Sequence, residues 1–96
     1  MSKSVLHIIE GRMPSFSKGQ KRIGRYILEH YDQAAFMTAS RLGKLTEVSE
    51  STVVRFAAEL GFDGYPSMQK ALQEMARSRL TSTQRIQAAE NIYGQD

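Results

Sequence analysis

Four short polar side chains, Ser49, Glu50, Ser51 and Thr52, stand in a row, and Arg55 follows three positions after the last of them. At the start of a helix such oxygens sit beside free backbone N–H groups and the positive end of the helix dipole. That environment favours a phosphate oxygen. One turn further on, the guanidinium of Arg55 has the fork geometry to meet O6 and N7 of a guanine. Glu50 has two readings: its carboxylate accepts from a cytosine amino group, or it merely favours the helix dipole while repelling phosphate.

Other chemistry has little support. His7 and His30 have no carboxylate or cysteine at ligand spacing in their own helices, so no metal site is expected. Glu29 and Asp32 read as surface acids. The run Gly61-Phe62-Asp63-Gly64 lacks the preceding strand and the Lys-Ser/Thr pair of a phosphate-binding loop. Cysteine is absent, which removes disulfides, thiolate zinc sites and a cysteine nucleophile. The five methionines read as core and gap filler. With no catalytic constellation, the expectation is a non-enzyme without cofactor or metal.

The elements that must hold the polar row in place are all helical. Val5, Leu6, Ile9 and Met13 recur at helical spacing and imply a first helix ending near Gly11 to Pro14. Ser17 with Gln20 has the form of a capping box opening a second helix, whose inner stripe is Ile23, Ile27, Leu28 and Tyr31. The cluster Ala34-Ala35-Phe36-Met37 is expected to close that packing. Thr38 caps a short third helix to about Thr46. Ser49 caps a fourth helix to Leu60, with Gly61 as its left-handed terminator. After Asp63-Gly64-Tyr65-Pro66 a fifth helix presents Met68, Leu72 and Met75 inward. The fold class is therefore all-α, a compact five-helix bundle.

Residues 38 to 60 carry the most information. At ~100° per residue, Val53, Phe56, Ala57 and Leu60 fall within roughly a 100° arc, with Ser51 and Arg55 on the opposite side. Leu42 faces inward, Gly43 lets two helices approach, and Val48 plugs the corner between them. This is the packing arithmetic of a helix-turn-helix, whose second helix exposes its N-terminal half to the major groove. The motif itself is neutral, Arg41, Lys44 and Arg55 balancing Glu47, Glu50 and Glu59. The basic excess lies on its flanks: Lys18, Lys21, Arg22 and Arg25 before it, Lys70, Arg77, Arg79 and Arg85 after it. Lys18, Arg22 and Arg25 form a stripe opposite Ile23 and Ile27. Alone it reads as a solvated face; beside a helix-turn-helix it can equally add phosphate contacts.

Three segments, Thr38-Ala39-Ser40-Arg41-Leu42-Gly43, then Val48-Ser49-Glu50-Ser51-Thr52-Val53-Val54-Arg55-Phe56, then Leu60-Gly61-Phe62 with Gly64-Tyr65, resemble the N-terminal domain of the RpiR family of bacterial transcription regulators. Phe16-Ser17 and the basic helix after it resemble that family's second helix. The likeness covers about residues 1 to 80. It implies sequence-specific binding of double-stranded DNA, with Ser49, Glu50, Ser51, Thr52 and Arg55 as the reading edge. It further implies that Thr38, Ser40 and Lys44 flank this edge, and that Tyr65, Ser67 and Lys70 hold the phosphate backbone, contacts that position rather than specify. In that family a sugar-isomerase-like domain senses phosphorylated sugars. Glu47 departs from the family pattern by standing at a turn position where the motif usually carries glycine.

Ninety-six residues suffice for one domain. Apolar residues at 41% supply a core, and a formal net charge of +3 is compatible with a polyanion partner without proving one. The expected division is a DNA-binding domain over residues 1–80 and a polar tail or linker over 81–96. That tail would lead to a missing effector domain, the only route by which a phosphosugar would act. The absence of cysteine, signal peptide and membrane span points to the bacterial cytoplasm. Because such domains commonly read two half-sites, a homodimer is expected, with the first helix as its contact. A different class stays open: a helical protein-interaction or dimerisation module, using the first helix and the Ala34–Met37 cluster as an apolar patch.

Overall fold

The computed structural model describes residues 4–77. The expected tail 81–96, with Arg79 and Arg85, lies outside the described residues. Helix α1 runs Val5–Arg12 and is capped by Ser4, whose Oγ accepts from the His7 amide at 3.2 Å. Pro14 then turns the chain through a 3-10 segment, Met13–Ser15, that delivers Phe16 into the core. Helix α2, Lys18–Ala34, opens on a complete capping box: Gln20 N donates to Ser17 Oγ, and Ser17 N donates to Gln20 Oε1 at 2.9 Å. Two amides that a helix start leaves without partners are thereby satisfied reciprocally. Helices α3, Ala39–Thr46, and α4, Glu50–Glu59, follow; α5 occupies residues 65–77. Five α-helices and no strand are present among the described residues, as the periodicity requires.

All five helices give side chains to one core. Ile9, Ile23, Ile27, Leu42, Val53, Phe56, Met68 and Leu72 are fully buried. Phe16 packs on Phe56 with ring centroids 5.1 Å apart in a tilted arrangement, joining the entry of α2 to the inner face of α4. The inner stripe of α2 differs from the sequence expectation. Its helical geometry breaks at His30 (φ −139°, ψ 46°), so the 3.6-residue period does not carry through. Ile23 and Ile27 are buried, Leu28 and Tyr31 only half-buried, and Ala34 and Ala35 complete the packing instead. The Tyr26 hydroxyl spans the break to Gln33 Oε1 at 3.2 Å.

The Ala34–Met37 cluster also divides. Ala34 and Ala35 close the core, but Phe36 is 68% exposed. The bonds Phe36 N to Gln33 O and Met37 N to Ala34 O turn the backbone there and leave that side chain outside. Helix α5 is tied to this corner by three side-chain donors. Tyr65 Oη reaches Met37 O at 2.6 Å, Gln69 Nε2 reaches the same oxygen at 2.9 Å, and Gln73 Nε2 reaches Ala35 O at 3.0 Å. The first turns of α5 consequently lie against the residue that precedes the N-cap of α3.

Candidate nucleic-acid interface

Helices α3 and α4 are joined by a tight corner whose geometry follows from three residues. Gly43 is buried, and a Cβ there would stand 2.8 Å from Val48 O, a backbone contact that cannot give way. Val48 N donates to Gly43 O at 2.8 Å, folding the chain back directly after α3. Glu47 takes the left-handed conformation (φ 63°, ψ 41°), the one non-glycine residue at positive φ among those described. The departure from glycine at this position is therefore accommodated within the usual backbone shape and not by a different turn. For a residue with a Cβ that shape costs roughly 1–2 kcal/mol. Arg22 compensates: its Nε donates to Thr46 O at 2.8 Å and its Nη2 to Glu47 O at 3.2 Å, satisfying carbonyls at the end of α3. Thr46, buried, returns its hydroxyl to Leu42 O at 2.7 Å.

The caps orient the two helices of the motif. Thr38 Oγ1 accepts from Arg41 N at 3.1 Å, and Ser49 Oγ accepts from Thr52 N at 3.1 Å. Ser49 Oγ also lies 3.0 Å from Ser51 Oγ and 2.8 Å from Thr52 Oγ1, so three hydroxyls form one cluster at the start of α4. Val53, Phe56 and Ala57 are buried on the inner side of α4. On its outer side Glu50, Ser51, Val54, Arg55 and Ala58 are all exposed and border one open, solvent-facing space.

The row singled out from sequence is thus divided by the fold. Glu50, Ser51 and Arg55 share the outer face. Ser49 stands exposed at the cap, and Thr52 is half-buried, directed toward the first turn of α2. A Cβ on Gly19 would meet Val48 Cγ1 at 3.0 Å and Thr52 Cγ2 at 3.9 Å, which shows how closely the start of α2 approaches the start of α4. Lys18, exposed, is the first residue of α2. Lys44 is exposed in the last turn of α3. Ser67 and Lys70 are exposed on α5, the helix tied to the residue before Thr38; Ser40 is half-buried. Val54 and Ala58 were not in the sequence-derived set. The period that places Glu50 outside also places positions 54 and 58 there, four and eight residues on.

Two expected backbone-contacting residues have other work. Tyr65 is only 6% exposed, and its hydroxyl proton is engaged by Met37 O. Burial pushes the Tyr65 phenol from 10.0 up to about 12, so the phenol keeps the proton that it donates to Met37 O and ties α5 to this corner. Arg22 leaves the Lys18–Arg25 stripe to clamp the turn, because the carbonyls at the end of α3 offer its planar fork two acceptors. No helix of the described residues is long and apolar enough to cross a membrane.

Comparison with known proteins matches this arrangement. The model of the helix-turn-helix domain of the rpiR family matches residues 3–79. The chain is 32% identical over 71 residues to the HTH-type transcriptional regulator YfhH of Escherichia coli (strain K12), covering 74% of this chain and 25% of that protein. It is 31% identical over 85 residues to the HTH-type transcriptional regulator HexR of Pseudomonas aeruginosa, covering 88% and 30%. Among solved structures, the Vibrio vulnificus NanR protein complexed with ManNAc-6P superposes with a TM-score of 0.74 at 28% identity, over 92% of this chain and 34% of that one. The chain therefore spans between a quarter and about a third of the length of these relatives. Fold, turn geometry and family match coincide: the chain belongs to the rpiR family of helix-turn-helix domains.

Proposed function

We propose that this chain is the DNA-reading domain of a bacterial transcription regulator, and that it seats the outer face of α4 in the major groove of double-stranded DNA. One observation carries the reading. The inner face of α4 is fixed in the core by Val53, Phe56 and Ala57, while Glu50, Ser51 and Arg55 stand exposed together on the other side. Arg55 is assigned the bidentate contact to a guanine. Ser49 and Ser51, beside the free amides of the α4 N-terminus, are assigned a phosphate oxygen. Lys18 at the start of α2, Thr38 at the cap of α3, Ser40 and Lys44 on α3, and Ser67 and Lys70 on α5 are assigned to the flanking backbone, where they fix register without reading bases.

The regulator to which such a domain belongs is proposed to act in the cytoplasm as a homodimer on two half-sites. NanR in complex with ManNAc-6P supports a phosphosugar as the effector, received by a separate domain, and genes of sugar or amino-sugar use as the targets. Selection from a random duplex pool, with the chain alone and as a forced dimer, tests the reading. A recovered sequence bound with strong salt dependence is expected, and Arg55→Ala should weaken it by about 1–3 kcal/mol and relax preference at one base pair. No enrichment and no salt-sensitive binding would sink it.

A further inference from the structure

We infer that Val54 determines specificity by meeting the C5-methyl group of a thymine, so that the bound half-site carries an A·T pair next to the pair met by Arg55. The inference rests on the DNA-reading role proposed for α4 and adds to it a residue and a base. Three large apolar side chains are exposed among the described residues, and Val54 alone of them lies on the outer face of α4, at 42% exposure. The others, Phe36 and Leu45, lie elsewhere.

Local structure gives no reason for valine at this position. A β-branched residue is a weaker helix former than most, and its stiff side chain meets water instead of the core. On the same ridge, Glu50 stands one turn before it and Ala58 one turn after, and all three are exposed. At ~100° per residue, positions 50, 54 and 58 span roughly an 80° arc. Val54 and Ala58 thus make a narrow apolar strip beside the polar ridge of Ser51 and Arg55. The major groove displays donors and acceptors from every base pair, but its one apolar group is the thymine methyl. A rigid branched side chain held on the groove-facing ridge has that single apolar partner. Ala58 keeps the neighbouring position low, so the methyl can reach the Val54 side chain.

The test uses this chain and the duplex recovered from the random pool. Each thymine is replaced singly by deoxyuridine, which removes the methyl and keeps the base pair, and affinity is measured for the unsubstituted chain and for Val54→Ala. One position should cost the unsubstituted chain about fourfold, the worth of one methyl-sized contact. Val54→Ala should lose a similar factor on the thymine duplex and be indifferent to deoxyuridine at that position. Helix content by circular dichroism should stay unchanged, because the side chain is exposed. The inference is overturned if Val54→Ala binds like the parent, or if it stays as sensitive as the parent to every methyl removal. A change in self-association with duplex affinity untouched would also overturn it, by assigning Val54 to a protein partner. These failures leave the salt-sensitive, Arg55-dependent binding in place. Loss of that binding as well would remove the DNA-reading role itself.

Discussion

Two corners flank α3, and they are built on opposite terms. At the α2–α3 corner, carbonyls of Ala35 and Met37 are met by neutral donors from α5, Tyr65, Gln69 and Gln73. At the α3–α4 corner, carbonyls of Thr46 and Glu47 are met by one guanidinium from α2. The first corner has slack: Phe36 stands out in solvent, and Met37 O has two donors, so loss of one leaves the other. The second has none. Gly43 touches the Val48 carbonyl, and Glu47 is held in a backbone conformation unfavourable for its Cβ. Tightness is therefore concentrated at the junction that aims α4, while the junction behind it only attaches a supporting helix. In the role proposed for it, α4 must keep its register on a rigid duplex, and small angular errors at its root grow along its length.

The largest expected effect follows from that contrast. Gly43→Ala should destabilise the domain by about 1–3 kcal/mol, because the added methyl meets backbone that has no free space behind it. Thermal unfolding measures this, and duplex binding should fall further than lost folding explains, because α4 is re-aimed. A Gly43→Ala chain as stable as its parent, with unchanged affinity, would erase the distinction between the corners. Sequence alone located this glycine correctly, as the small residue between two helices. It did so because the relevant contact, residues 43 to 48, is local.

Legibility ends where partners become distant. Ser17 with Gln20, Thr38, Ser49 and Gly61 announce their helix ends through bonds or dihedrals spanning a few residues, and each lies at the expected helix end. Tyr65 and Met37 are 28 positions apart, and Arg22 and Thr46 are 24 apart. Nothing local distinguishes a tyrosine that struts a corner from one that meets phosphate, or an arginine that clamps carbonyls from one in a basic stripe. The break at His30 is likewise invisible, because that segment contains neither proline nor a glycine after Gly24 to mark it. The outer face of α4 is half legible: its polar side chains announce a chemistry, whereas Val54 and Ala58 on the same period look like any other apolar residues.

Arg22→Ala should have the next largest effect and separates its two roles. If the side chain clamps the turn, unfolding stability falls by about 1.5 kcal/mol through loss of two charge-assisted hydrogen bonds. The slope of log K against log salt then stays near that of the parent. If instead it neutralises a phosphate, the slope flattens by ~0.9 with little change in melting. Arg22→Lys should fall with the alanine variant, because a single ammonium cannot reproduce a planar fork on two carbonyls.

Tyr65→Phe should have the smallest effect, about 1 kcal/mol or less, because Gln69 remains on Met37 O when the hydroxyl is gone. Its pH dependence is the sharper readout. The folded chain raises the Tyr65 phenol to about 12 from 10.0, so the fold favours the protonated form. The associated stability is whole below pH 10 and is lost as pH rises from 10 through 12, where the unfolded chain gives up the proton first. Other groups ionise in that window, so the informative quantity is the difference between parent and Tyr65→Phe, measured by chemical denaturation across it. That difference should shrink as pH rises and then reverse, since the parent alone loses stability and the rise of the phenol from 10.0 to about 12 outweighs the hydroxyl's own contribution. A gap that stays constant to pH 12 would mean that the phenol is solvated and that the α2–α3 corner is held without it. In that case the slack attributed to this corner would be greater still.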